Sequence, residues 1–359
     1  MNRSRSFPNL LLSLLLVWSF IPLPAQQSTG GQPLTFQSGR AIPPVITLDP
    51  PADITILTIG NEADEKEGLP YQIAVTLPAD IDLVRDGMNQ EVDGAMTWTL
   101  GIGSSGARGL VFYYDRFVIP AGGKLYIYTP DRSLVRGLFT DRNNADGGHY
   151  ATSLMPGEQV ILTYEHPDGI LPDIHVNEVA YAYRDNLFPW LGSDGFGSSQ
   201  WCEVNVNCPE GDDWQDEKRG VARILLKSNG GTYWCSGSLM NNTAQDLSPY
   251  FLTADHCGQG ASPTELSQWI FYFNYEAPGC NDPGTEPPAD QMVGCTYVAS
   301  SGGSGGNVVG SDFYLVLLDQ NVPPTYNPYF NGWMRENSPS PSGVSIHHPA
   351  GDIKKISTY

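Results

Sequence analysis

Cysteine is missing from this 359-residue chain until Cys202, and all six cysteines lie between there and Cys295. Disulfide crosslinks are therefore excluded from the first half and open only to the second. Basic residues are scarce too: 19 Lys and Arg stand against 39 Asp and Glu, for a net charge of −20. A phosphate-binding surface needs clustered cations, so nucleic acid is excluded as a partner. Beyond the N-terminus no apolar run is long enough to cross a bilayer, which excludes a later helical span. There is no His-Glu-x-x-His segment, so a zinc hydrolase ranks only third among the readings of this chain. No stretch carries a convincing amphipathic-helix period.

Short strands and turns are what the chain does contain. Arg3 and Arg5, the apolar residues 10–21 and the small residue Ala25 make residues 1–25 a secretion signal. Export puts the cysteines where disulfides form, and the excess negative charge reads as a soluble surface kept apart by like charge. A secreted monomer is expected. Residues 26–43 form a polar, Pro/Gly-rich leader. Alternating or nearly alternating apolar runs follow at 54–59, 71–77, 96–100, 110–114, 124–128 and 159–164, separated by turn clusters such as Pro120-Ala-Gly-Gly123. This pattern predicts an all-β chain whose first half is a β-sandwich, cysteine-free and able to fold by itself. Gly and Ser accumulate over 185–201, as in a linker. Runs at 221–226, 232–235, 250–253, 269–273 and 313–318 then predict a small Greek-key barrel.

Asp141, Asn143, Asn144 and Asp146 have calcium-type oxygens, but not the spacing of an EF-hand loop, so they read as an Asx-rich turn. His149, His166 and His175 are scattered without ligand spacing and read as ordinary surface or sandwich residues.

Chemistry concentrates between Cys235 and Cys257. Two cysteines bracket a strand, a polar loop and a second strand, and His256 sits directly against the second cysteine. A crosslink there would fix the backbone that carries an imidazole, as a general base requires. Thr253-Ala-Asp-His-Cys257 resembles the histidine box of chymotrypsin-fold serine proteases. The longer stretches Cys235-Ser-Gly-Ser-Leu-Met-Asn-Asn-Thr243 and Tyr250-Phe-Leu-Thr-Ala-Asp-His-Cys-Gly258 are most similar to the lysyl endopeptidase branch. The likeness resumes at Cys202-Glu-Val-Asn-Val-Asn-Cys208 and runs over 202–359. Phe117-Val-Ile-Pro-Ala-Gly-Gly-Lys-Leu-Tyr-Ile-Tyr128 is similar, more loosely, to jelly-roll-like domains placed ahead of secreted bacterial proteases.

The resemblance implies a domain plan: a signal peptide at 1–25, a jelly-roll-like β-sandwich pro-domain at 26–190, a processing linker at 191–201, and a protease domain at 202–359. That last domain would be an incomplete chymotrypsin-like double β-barrel. His256 would be the base and Asp312, opening an apolar strand, the carboxylate that orients it. Disulfides Cys235–Cys257 and Cys208–Cys280 are implied by position; the resemblance puts the partner of Cys202 beyond Tyr359, Cys295 departs from the family pattern with no assigned partner, and a Cys202–Cys295 bond stays open. The nucleophilic serine has no match after Asp312. Ser304, in a Gly-rich stretch ahead of Asp312, falls in the wrong chain order and is rejected. The expectation is a chain that stops before its nucleophile and does not hydrolyse peptides as given. Asp255 departs from the family pattern; it either turns toward His256 or points to solvent. His347-His348 matches a family strand and turn, and no metal or cofactor is assigned. The function implied is a secreted serine endopeptidase zymogen acting on protein or peptide substrates, possibly at Lys. The alternative is a secreted non-catalytic binding or adhesion protein built on a degenerate protease barrel. Between Arg184 and Lys218 there is no basic residue, so the junction offers no Lys or Arg for self-processing.

Overall fold

The structure, a computed structural model, describes residues 30–37, 42–54, 70–184, 199–200, 202–302, 311–336, 338 and 340–359. The expected secretion signal, all but one residue of the strand expected at 54–59, most of the expected linker and the Ser304 stretch lie outside the described residues. The fold is all-β. Among the described residues the first half contributes β1 (Val45–Leu48), β2 (Tyr71–Asp82), β3 (Met88–Val92), β4 (Ala95–Ser104), β5 (Gly109–Val118), β6 (Lys124–Tyr128), β7 (Val135–Phe139), β8 (Tyr150–Pro156), β9 (Gln159–His166) and β10 (Asp173–Ala182). The second half contributes β11 (Val204–Asn205), β12 (Val221–Ser228), β13 (Gly231–Met240), β14 (Tyr250–Ala254), β15 (Ile270–Phe273), β16 (Asp290–Val293), β17 (Cys295–Ser300), β18 (Phe313–Leu318), β19 (Val344–His347) and β20 (Lys355–Thr358).

In the first half, a sheet ordered β1-β4-β9-β6-β7, with β3 beside β4, faces the ladder β2-β10-β5-β8. Leu100, Ile102, Leu125 and Leu162 on one side meet Leu110, Phe112, Tyr114 and Tyr181 on the other. This is the expected sandwich: period-2 strands turn their apolar sides to a common core. Asn144, in the turn that raised calcium, accepts from the amide N–H of Ile119 at 2.8 Å and donates to its carbonyl at 2.9 Å. Its oxygen is thus engaged in fastening the turn.

In the second half the ladder runs β12-β13-β14-β18-β17, while β16-β15-β12 returns to the start. Only Gly294 separates β16 from β17. Its φ of +90° lies in the left-handed region that favours glycine. Where the sequence predicts a small Greek-key barrel, the strands form a ring open between β16 and β17, because the chain turns there from one neighbour, β15, to the other, β18. Ile224, Leu226, Phe251, Phe271, Phe273 and Val316 fill the ring.

The halves are not separate. β2 pairs antiparallel with β13, Val75 opposite Gly231 and Tyr71 opposite Trp234, which makes a continuous path β16-β15-β12-β13-β2-β10-β5-β8. This sheet curls until its two ends meet: the Ser153 hydroxyl on β8 donates to Gln291 on β16 at 2.5 Å. Inside the curl lies a third core, with Ala74, Val111, Tyr113 and Ala180 from the first half and Leu225, Trp234, Ile270 and Tyr272 from the second. Successive side chains explain how one strand serves two cores. Ile224 and Leu226 point into the second-half ring, and Leu225 between them points into the shared core. Burying each large apolar side chain contributes about 1.5–3 kcal/mol, so the shared core is a sizeable part of what holds the fold.

Candidate active site

β14 lies between β13 and β18, and its register with β18 sets Ala254 opposite Phe313. The antiparallel ladder therefore places the residues just after 254 beside the residue just before 313. Those are Asp255, His256 and Asp312. Asp255 donates its amide N–H to the Asp312 carbonyl at 3.0 Å. The amide of His256 donates to Asp312 Oδ1 at 3.0 Å. Nδ1 of the His256 ring is 2.7 Å from Asp312 Oδ2. Since the carboxylate accepts, Nδ1 carries the proton, and in the neutral ring Nε2 is left as the acceptor.

Backbone and sulfur hold the imidazole in place. His256 lies on a single helical turn, Asp255–Gly258, closed by the Gln259 amide donating to the Asp255 carbonyl at 2.8 Å. Cys257 in that turn is bonded to Cys235 on β13. Gly258 lies flat against Tyr314, where an added Cβ would be 2.6 Å from the ring. Asp312 has a φ of +48°, the left-handed conformation that turns its carboxylate back onto the helical turn. With all this in place the His256 and Asp312 side chains are still 26% and 31% exposed. Among the described residues the His256 ring hydrogen-bonds to Asp312 alone, and Ser304 lies outside them.

Residues 196–359 match the family model of the lysyl endopeptidase C-terminal domain. Lysyl endopeptidase from Pseudomonas aeruginosa is 27% identical over 219 residues, a match spanning 58% of this chain and 45% of that protein. The chain thus covers less than half the length of this relative.

The lysyl endopeptidase-like stretch contains His256, Asp312 and both disulfides, Cys235–Cys257 and Cys208–Cys280. These are the pairs implied by the resemblance. Cys202 and Cys295 are both free, Cys202 exposed and Cys295 buried, so the bond left open between them is not formed. Of the two readings left open for Asp255, the solvent-facing one does not hold: the residue is 3% exposed. Burial pushes the pKa of the neighbouring Tyr314 phenol up to about 12, and the nearby Cys295, Tyr297 and Asp255 add to the rise.

The adjacent His347 and His348 diverge. His347 ends β19 with Nε2 3.7 Å from Glu203. His348 is buried with Nδ1 on the Asp352 carbonyl at 2.9 Å, and burial holds its pKa well below the ordinary value. Among the described residues no three His, Cys, Asp or Glu side chains come together as metal ligands.

The sequence reading missed His175. It is a buried imidazole with Nδ1 2.5 Å from Asp115 and Nε2 2.8 Å from Asp80. Those partners lie 60 and 95 residues away in sequence, so no local motif marks them.

Proposed function

We propose that this chain is a secreted serine-type endopeptidase, made as a zymogen, in which His256 is the general base and Asp312 the residue that orients it. The observation carrying this reading is the paired contact of Asp312 with the ring and amide of His256, which leaves Nε2 for substrate chemistry. In acyl transfer Nε2 takes the proton of an attacking serine hydroxyl and later returns it to the leaving amine. Asp312 stabilises the imidazolium between those two steps. The serine is not among the described residues. Substrates are proteins or peptides, and the preference for lysine is inferred from the family likeness. The junction at 185–217 lacks Lys and Arg, so maturation there falls to a protease of another specificity.

The test is labelling of the native secreted protein, as isolated from the cells that make it, with a fluorophosphonate serine probe. Labelling that disappears in His256→Ala is expected. Equal labelling of both forms, or none of the native protein, removes the reading.

A further inference from the structure

The outer faces of β12, β13 and β15 present Leu225, Trp234, Ile270 and Tyr272, all buried against the first half. A barrel meant to stand in water would alternate polar residues there. The polar groups on these strands are equally committed. Lys227, 4% exposed, pairs with Glu178 of β10 and lies 4.3 Å from the centre of the Tyr113 ring. The Tyr113 and Thr232 hydroxyls share a buried hydrogen bond of 2.9 Å. Gln268 donates to the carbonyls of Tyr114 at 3.0 Å and Tyr150 at 3.3 Å. Removing the first half would expose four large apolar side chains, leave the Lys227 ammonium without its carboxylate, and free the edge of β13.

The geometry points to the first half as a lasting partner of the second: once the chain is cut between them, the sandwich stays bound along β13 and the shared core as part of the working protein. A removable cover would be expected to meet the second half through a smaller and more polar surface. The exposed fractions of His256 and Asp312 are those with the first half in place. This inference rests on the zymogen reading and deepens it by making maturation a nick rather than a release.

The experiment places a site-specific protease sequence at residues 190–196 of the full chain, in a His256→Ala background so that no self-digestion intrudes. After cutting, gel filtration over a dilution series is expected to show the two fragments co-eluting at the mass of the intact chain, separating only in denaturant. Any substantial pool of free first-half fragment, whatever the state of the other piece, overturns the inference. Glu178→Lys in the same background sets like charges together and is expected to weaken association by about thirtyfold or more. Circular dichroism of that variant before cutting shows that both halves are folded. Folded Glu178→Lys that associates as tightly as the parent also counts against the proposal. Because the readout is association, its result is independent of whether the serine-protease reading holds.

Discussion

His256 in the second half and His175 in the first are both bonded to aspartate, yet the two arrangements suit opposite ends. At His256 one carboxylate takes Nδ1 and the backbone amide, and Nε2 remains an acceptor beside solvent. At His175 both ring nitrogens are taken, by Asp115 from β5 and Asp80 from β2, on either side of β10. Arg85, Arg116, Asp82 and Asp173 complete that cluster through salt bridges. With no nitrogen to spare, His175 serves as a cross-strand clamp. An imidazole is made useful for proton transfer by what is left unbonded as much as by the acid that holds it.

The largest expected effect separates the two carboxylate roles. Asp312→Asn should lower peptide hydrolysis by the native protein by about 10⁴, since the amide holds the wrong tautomer, with circular dichroism unchanged. Asp115→Asn should leave the rate nearly untouched; a comparable loss there would erase the contrast. Next is the crosslink behind His256. Replacing Cys235 and Cys257 by serine opens a 22-residue loop and should cost about 3 kcal/mol in urea unfolding. An equal midpoint in parent and variant would show that hydrogen bonds alone hold the imidazole.

The third effect is smaller and depends on pH. Burial disfavours a charge on His175, but the hydrogen bonds to Asp115 and Asp80 outweigh it and raise its pKa above the ordinary 6.5. A group whose pKa is raised by folding stabilises the fold fully below the unfolded value, and that contribution is lost as pH rises through the folded value. Urea midpoints should therefore fall from about pH 6.5 upward, and His175→Gln should flatten that slope. A slope unchanged in the variant would assign it to other groups. Smallest is Asp80→Asn, at a carboxylate 80% exposed. The midpoint should barely move, because water already screens most of that interaction.

The candidate site was legible because its parts are local or stereotyped. His256 sits in a recognisable box beside a cysteine, and Asp312 heads an apolar strand that register brings alongside. The sandwich was legible from alternation. The joining of the halves was not read, although a trace of it was present. Val221-Ala-Arg-Ile-Leu-Leu226 hardly alternates, as befits a strand buried on both faces, but a continuous apolar run does not say what covers its second face. His175 was invisible for a different reason: its partners come from distant strands, and only the pairing of β2, β10 and β5 assembles them.

The left-handed backbone at Asp312 bears on how such a chain changes over generations. Few side chains tolerate that conformation; Asp, Asn and Gly do so most readily, and bulky or branched ones pay about 1–3 kcal/mol. Drift at this position is therefore channelled toward Asn and Gly. Both keep the turn and neither keeps the charge. A lineage released from selection for proteolysis could lose its chemistry here while retaining its architecture, and its descendants would carry an intact histidine box around an imidazole that no longer has a counter-ion.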